Sequence, residues 1–301
     1  MLAILIPYYK ITFLEATLQS LADQSDKRFK VYIGDDNSPE NPIILLERFK
    51  GLFEFEYHKF EENFGSISLI KQWDRCINLA TNETWYMILG DDDVLSTTVV
   101  SGFYANFNQF NTKSNVVRYA TKLILQNSNT ISNLYTHPVW EIATDSFYRK
   151  FKKESRSSLS EYIFSKTSYL KYGFYDYPLA WNSDDRAWLD FSDDKPIFTI
   201  NESSIFVRIS ALSISGRRDN LLKKNASEIA FYRFLISSKL QHYNKNQRFE
   251  ILKKYGKEIR RNRSLKVSEW LFILYYCLKF FNVDYLKKGF NMVLNRFKIK
   301  N

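Results

Sequence analysis

Cysteine, histidine, proline and glycine are scarce in this 301-residue chain, at two, three, six and nine copies. Cys76 and Cys277 stand too far from one another, and from His58, His137 and His242, for zinc-site or disulfide-framework spacings. Both lie in apolar helical patterns and read as buried thiols. The few glycines form no G-x-G-x-x-G fingerprint, no Walker A loop and no G-x-S-x-G elbow. Dinucleotide-binding, P-loop and α/β-hydrolase sites are thereby set aside. The longest apolar run, Trp270 to Leu278, falls far short of the roughly 20 residues a spanning helix needs. The opening "MLAILIPYYK" lacks a basic n-region and contains Pro7, so it reads as a strand rather than a signal peptide. A cytoplasmic location is the expectation.

What is plentiful is apolar and aromatic: 45% of residues are hydrophobic and 17% are Phe, Trp or Tyr. That suits a well-filled core and argues against disorder. Charge is unevenly placed. From Arg217 onward there are 21 Lys/Arg against 6 Asp/Glu, whereas the first 216 residues hold 22 against 27. A mildly acidic body with a strongly basic tail points to an anionic partner for the tail, a membrane surface or a polyanion.

"LAILI" at 2–6 is a continuous apolar run, the mark of a strand buried on both faces. Thr12 and Glu15 have capping-box spacing, and Leu14, Leu18 and Leu21 recur at helical intervals. "FKVYIGDD" reads as a second strand, "FEFEYH" as a third and "WYMIL" as a fourth, with a helix over 66–80 between the last two. This rhythm predicts a mostly parallel, doubly wound α/β domain. "SNVVRYATKLILQ" and "KPIFTINESSIFVRIS" read as strands, the second with hairpin character. Beyond Arg217, amphipathic helices follow, the last patterned on Tyr285, Leu286, Phe290 and Val293. The expected division is a catalytic domain over 1–218 and a basic helical extension over 219–301.

In parallel sheets of this kind, ligands bind beyond the carboxyl ends of the strands. Pro7-Tyr8, Asp35-Asp36 and Asp91-Asp92-Asp93 all fall there, so remote residues converge on one rim. Three adjacent carboxylates repel by about a few tenths to one kcal/mol per exposed pair. The arrangement becomes useful if a hard cation such as Mg²⁺ or Mn²⁺ sits among them. A second acidic pair, Asp184-Asp185, lies between Trp181 and Trp188, which could exclude water and raise a carboxylate pKa. Such a group suits a general base; equally, Asp184 could cap a helix through "DRAWLDF".

Taken together, "ILIPYYK", "VYIGDDNSPEN", "ENFGS", "WYMILGDDDVL", "YGFYDYPLAWNSDDRAW" and "FVRISALSIS" resemble the ordered motifs of family-2 glycosyltransferases. The resemblance covers about residues 1–218. It implies a GT-A fold and inverting transfer of a sugar from a nucleotide-diphosphate donor, with UDP favoured and a divalent metal as cofactor. Carried over, Pro7, Tyr8, Asp35 and Asp36 bind the nucleoside, and Asp91 lies near the ribose. Asp92 and Asp93 hold the metal, Asp185 is the base with Asp184 beside it, and Arg208 and Arg217 face the diphosphate. The family usually has Asp-x-Asp-Asp where this chain has Gly90-Asp91-Asp92-Asp93, and usually Glu where Asp184 stands. The implied acceptor is a glycan or lipid-linked glycan in surface polysaccharide synthesis. The basic helices would then touch the inner face of a membrane, pack with solvated faces, or pair two chains as a homodimer. A nucleotidyltransferase would carry a glycine-rich loop that "IPYYKITF" lacks. A nucleic-acid-binding module would leave the acidic rim unexplained. A non-catalytic nucleotide-sugar-binding relative is the remaining alternative.

Overall fold

The structure is a computed structural model that describes residues 1–281; the expected helical pattern at 285–293 lies outside them. The chain forms two compact units, residues 1–223 and 224–301. The first is built on a ten-stranded sheet. Its strands are β1 (Leu2–Tyr8), β2 (Phe29–Asp35), β3 (Glu54–Lys59), β4 (Trp85–Ile88), β5 (Val94–Leu95), β6 (Val116–Leu125), β7 (Thr130–Ile131), β8 (Trp140–Glu141), β9 (Tyr162–Ser165) and β10 (Ile197–Ile209). The path β3-β2-β1-β4-β9-β6-β10-β5 is parallel through its first four strands and mixed beyond β4, where β9 runs antiparallel to both neighbours.

β1 is central because both its faces are apolar: Leu2, Ala3, Ile4, Leu5 and Ile6 are fully buried. Each such aliphatic chain contributes about 1.5–3 kcal/mol by leaving water. Helix α1 (Leu14–Ala22) buries Leu14, Leu18 and Leu21. Its start differs from the capping-box expectation: the N-cap is Phe13 with no side-chain cap, and Glu15 pairs with Arg48 on the surface. Short α2 (Ile43–Glu47) follows β2. α3 (Leu69–Ile77) is capped by Ser68, which accepts from Lys71 N. α4 (Val99–Phe110) packs an aromatic group of Phe103, Phe107 and Phe110 near Trp85.

The segment 195–210 is a single strand rather than a hairpin. β10 pairs parallel with β6 on both sides of a bulge, Ile200 opposite Tyr119 and Ser204 opposite Ala120. The residues "NES" are therefore extra residues in a continuing ladder, not a reversal. The second half of the sheet carries α5 (Ala143–Phe151), α6 (Lys166–Tyr172) and α7 (Ser183–Phe191). Phe164, Phe174, Trp188 and Phe191 fill the space beneath them, so here the aromatics are core.

The second unit is helical. α8 (Leu221–Phe234) runs into it, followed by α9 (Lys245–Arg260) with an Asn244/Gln247 capping box and α10 (Val267–Phe280). Ile251, Leu252, Tyr255 and Ile259 are buried, and Asn225 donates to Glu258. On α10, Val267, Leu271, Leu274, Tyr275 and Leu278 are exposed, and Cys277 is half-buried where a buried thiol was expected. Among the described residues no helix is long and apolar enough to cross a membrane.

Candidate active site

The carboxyl ends of β1 and β2 lie side by side in parallel register, with Tyr8 opposite Asp35, and Asp36 N donates to Tyr8 O at 3.0 Å. Asp35 is fully buried and spoken for: Ser38 N donates to Oδ1 at 2.7 Å and the Tyr57 hydroxyl to Oδ2 at 2.6 Å. Its work is to hold the turn. The Tyr8 ring is buried too, its hydroxyl donating to Glu40 O, so this residue meets the rim through its backbone.

Asp36 accepts from Phe64 N at 2.8 Å, from Gly65 N at 2.9 Å and from the Arg75 guanidinium. Arg75 is itself sandwiched between Phe60 and Phe64, 3.9 and 4.5 Å from their centroids. The "ENFGS" loop is thus folded onto Asp36. Its glycine is required by close approach, since a Cβ at Gly65 would fall 2.4 Å from Asp36 Oδ2. Burial pushes the Asp36 carboxyl above its ordinary range despite these donors.

The three aspartates after β4 do different things. Asp91 Oδ2 accepts from Tyr9 N and Lys10 N, both at 2.9 Å, tying this loop to the end of β1. Asp93 is buried; its Oδ1 accepts from Arg208 N at 2.8 Å, and the Ser160 hydroxyl bonds to its carboxylate. Ser160 Oγ also accepts from Gly90 N. Asp92 is left over: among the described residues nothing donates to its carboxylate. Burial pushes it up to about 8, and Asp93 and Asp91 push the same way, against Arg208 and Lys10. Excess negative charge of this kind is what a bound cation relieves. Among the described residues no three His, Cys, Asp or Glu side chains converge as metal ligands. The expectation that Asp92 and Asp93 act together is thus weakened for Asp93, whose carboxylate is committed to Arg208 and Ser160. Gly90 fits this crowding, since a Cβ there would sit 3.0 Å from Asp92 Oδ1 and 3.2 Å from Asp93 Oδ2.

Arg208, at the end of β10, donates from Nε to Asp92 O at 3.0 Å, and its guanidinium lies 4.2 Å from the Phe13 centroid. Lys10 Nζ donates to Leu212 O at 2.6 Å. Two cations therefore border Asp92 and tether the 208–217 segment. Arg217 is exposed and pairs with Asp219.

Asp185 sits in the first turn of α7, 4% exposed, with Lys150 Nζ at 2.5 Å from Oδ1 and Asn182 Nδ2 at 2.8 Å from Oδ2. It faces a lysine and lines a small cavity with one of the two expected tryptophans, Trp188, which stacks on Tyr162 at 4.2 Å. Burial opposes the charge on Lys150, but Asp185 and Asp184 outweigh it and hold the ammonium above its usual range. Burial and the Asp185 charge push Asp184 up to about 7. Asp184 does not cap the helix; the N-cap is Asn182, in the left-handed region with no side-chain cap bond. Leu179, Ala180 and Asn182 all have positive φ, an unusual concentration of strain for non-glycine residues just before Asp185.

The turn 156–162 joins the two acidic regions. Ser160 reaches Asp93, while Arg156 pairs with the fully buried Glu161 at 2.7 Å. Glu161 lies within electrostatic reach of Asp184 and Lys150, and Arg156 within reach of Asp93. One chain of contacts thus runs from Asp36 through Tyr8, Tyr9 and Asp91 to Asp93, Ser160 and Glu161, and Glu161 reaches Asp184 and Lys150 electrostatically. Lys10, Arg75, Lys150, Arg156, Ser160, Glu161 and Asn182 belong to it and have no signal in the sequence beyond the glycine of "ENFGS".

The model of glycosyl transferase family 2 matches residues 3–170, more than half of the chain. The chain belongs to glycosyl transferase family 2. This glycosyltransferase resembles the crystal structure of S. aureus TarS 1–349 in complex with UDP-GlcNAc, at TM-score 0.66 and 13% identity, over 93% of this chain and 80% of that one. TarS 1–349 without that ligand gives TM-score 0.62 and 14% identity, over 91% and 78%. GalNAc-T7 with UDP, GalNAc and Mn²⁺ gives TM-score 0.54 and 12% identity, over 87% of this chain and 57% of that one. These likenesses agree on a GT-A fold for the sheet and its flanking helices. No curated protein matches the sequence.

Proposed function

We propose that this glycosyltransferase moves a sugar from a UDP-sugar to an acceptor hydroxyl with inversion, using a divalent cation. The carrying observation is the run of contacts from Asp36 through Asp91–Asp93 to the 156–162 turn, whose Glu161 lies in electrostatic reach of the Lys150 that holds Asp185, while among the described residues nothing donates to the Asp92 carboxylate. Similar folds solved with UDP-GlcNAc, and with UDP and Mn²⁺, support the choice of donor and metal.

The nucleoside lies against Pro7, the backbone of Tyr8 and the Asp36–Gly65 loop. Asp91, held by the amides of Tyr9 and Lys10, lies beside the ribose. Asp92 would hold the Mn²⁺ or Mg²⁺ ion, in keeping with the one or two carboxylates that Mg²⁺ usually takes. When bound, that ion neutralises charge on the leaving diphosphate. Lys10 and Arg208 face the same charge, and Arg217 approaches it when the 208–217 segment closes. Asp185 takes the proton of the acceptor hydroxyl as that oxygen bonds to the anomeric carbon. The carbon–oxygen bond to the diphosphate breaks on the opposite face. Asp184, pushed up to about 7, carries only part of its charge beside the base at neutral pH. General-base help is worth about 10²- to 10⁴-fold.

For the acceptor we favour a lipid-linked glycan met at the inner, anionic face of a membrane. The basic charge beyond Arg217 and the exposed apolar face of α10 support it. Flotation with anionic vesicles at low and high salt is the check. Absence from the lipid fraction at low salt removes the membrane and leaves a solvated face or a homodimer. The transfer reading itself is tested with Asp185→Asn. Turnover falls by about 10²- to 10⁴-fold while UDP affinity with Mn²⁺ stays within about twofold; undiminished turnover would remove Asp185 as the base.

A further inference from the structure

Asp185 is braced from two sides. On its own turn, Asn182 holds Oδ2 from a left-handed backbone conformation. Across the site, Lys150 holds Oδ1 from α5. The position of α5 is itself determined by a buried ionic relay. Arg149, the residue before Lys150, donates from Nε and Nη2 to the two oxygens of Glu141 at 2.5 and 2.9 Å. Glu141 in turn accepts from Arg118 at 2.8 Å. Arg118 is fully buried on β6, and donates also to Ser146 of α5 and Thr199 of β10. The first turn and the last turn of α5 are therefore both pinned to the sheet. Relays of this depth are costly to desolvate and are broken at a large penalty. Its outlet toward Asp185 is Lys150, the residue after Arg149.

We propose that Lys150 is the positioning residue of this enzyme's base: the Arg118–Glu141–Arg149 relay fixes α5 so that the Lys150 ammonium orients the Asp185 carboxylate toward the acceptor hydroxyl. A carboxylate offers about four lone-pair sites. Lys150 and Asn182 occupy two, and the acceptor hydroxyl takes one of the rest. The inference rests on Asp185 being the base, and its test separates the two ideas.

The surroundings of this ion pair are charged as well. Asp184 from α7 and Tyr162 from β9 act on Lys150, and Glu161, paired with Arg156, lies within electrostatic reach of Lys150 and Asp184. Lys150 is the nearest cation to Asp185 among those described.

The experiment is steady-state UDP release from UDP-N-acetylglucosamine with Mn²⁺, read as kcat against donor KM. Lys150→Met lowers kcat by about 10- to 100-fold with donor KM unchanged, and Lys150→Arg restores kcat to within about threefold. Full kcat in a folded Lys150→Met protein overturns the proposal, as does a loss that falls on donor KM alone. If that variant does not fold, Lys150→Gln, of similar reach and neutral, gives the same comparison. In the Asp185→Asn background Lys150→Met has no further effect on kcat; a further loss of full size there rejects the positioning role, whereas an undiminished rate in Asp185→Asn itself removes the base assignment.

Discussion

The two acidic regions of the rim hold their carboxylates by opposite means. After β4, Asp91 and Asp93 are gripped by backbone amides of residues 9, 10 and 208. On α7, Asp185 is gripped by the side chains of Lys150 and Asn182. A backbone amide in a sheet rim is already ordered and carries no charge to lose. A lysine brings a full charge and about 2 kcal/mol of rotamer entropy to the contact. The first arrangement suits carboxylates that must stay still. The second suits a carboxylate whose orientation is set by the helix that carries its lysine. Between the two lies Asp92, held by neither.

The contrast breaks most visibly at Asp185, where Asp185→Asn costs about 10²- to 10⁴-fold in kcat with folding retained. At the backbone-gripped end the order of effects reverses. Asp93→Ala forfeits buried hydrogen bonds from Arg208 N and Ser160 to a charged group. Urea unfolding should show a loss of about 2–4 kcal/mol. Asp92→Ala, one residue away, leaves the urea midpoint unchanged or slightly higher, and calorimetry with UDP shows loss of the Mn²⁺-dependent part of the affinity. Equal destabilisation by the two substitutions would erase the distinction drawn among these aspartates.

Gly65→Ala tests the nucleotide end. The new Cβ meets Asp36 Oδ2, so the loop must lift, at about 1–3 kcal/mol; weaker UDP binding with kcat little changed is the expected readout. A further effect, seen only in acid, concerns the relay beneath α5. His137 accepts from Arg149 through Nδ1, and burial, with Arg118, Arg149 and Arg156 nearby, lowers its pKa to about 3 from an unfolded value near 6.5. Below pH 6.5 the unfolded chain takes up a proton that the folded chain refuses. His137 therefore costs stability progressively as pH falls from about 6.5 towards 3, and nothing above that window. Denaturant midpoints across this range should fall less steeply in His137→Gln than in the unmodified protein. Parallel slopes would show that the imidazole is not held neutral.

Much of the rim was legible because its signals are local. A buried parallel strand is a short apolar run, and the residues just past its carboxyl end form the ligand edge. Pro7-Tyr8, Asp35-Asp36 and Asp91–Asp93 could therefore be placed without coordinates. The hairpin reading of 195–210 failed for a local reason as well. "NES" has turn chemistry, yet β6 offers partners on both sides of it, and the ladder hydrogen bonds outweigh the turn preference. The Thr12/Glu15 spacing failed similarly, since Glu15 finds Arg48 instead.

What the order of residues determined alone is the set of strand ends and the chemistry they carry, because side-chain alternation and apolar runs act over a few neighbours. Which carboxylate is tied and which is free was decided by the tertiary structure. Tyr9 and Lys10 meet Asp91, Arg208 meets Asp93 and Lys150 meets Asp185 across 35 to 115 positions of chain. Hydrogen bonds and charge act over a few ångströms of space, and a sequence records no such distances until the sheet has closed them.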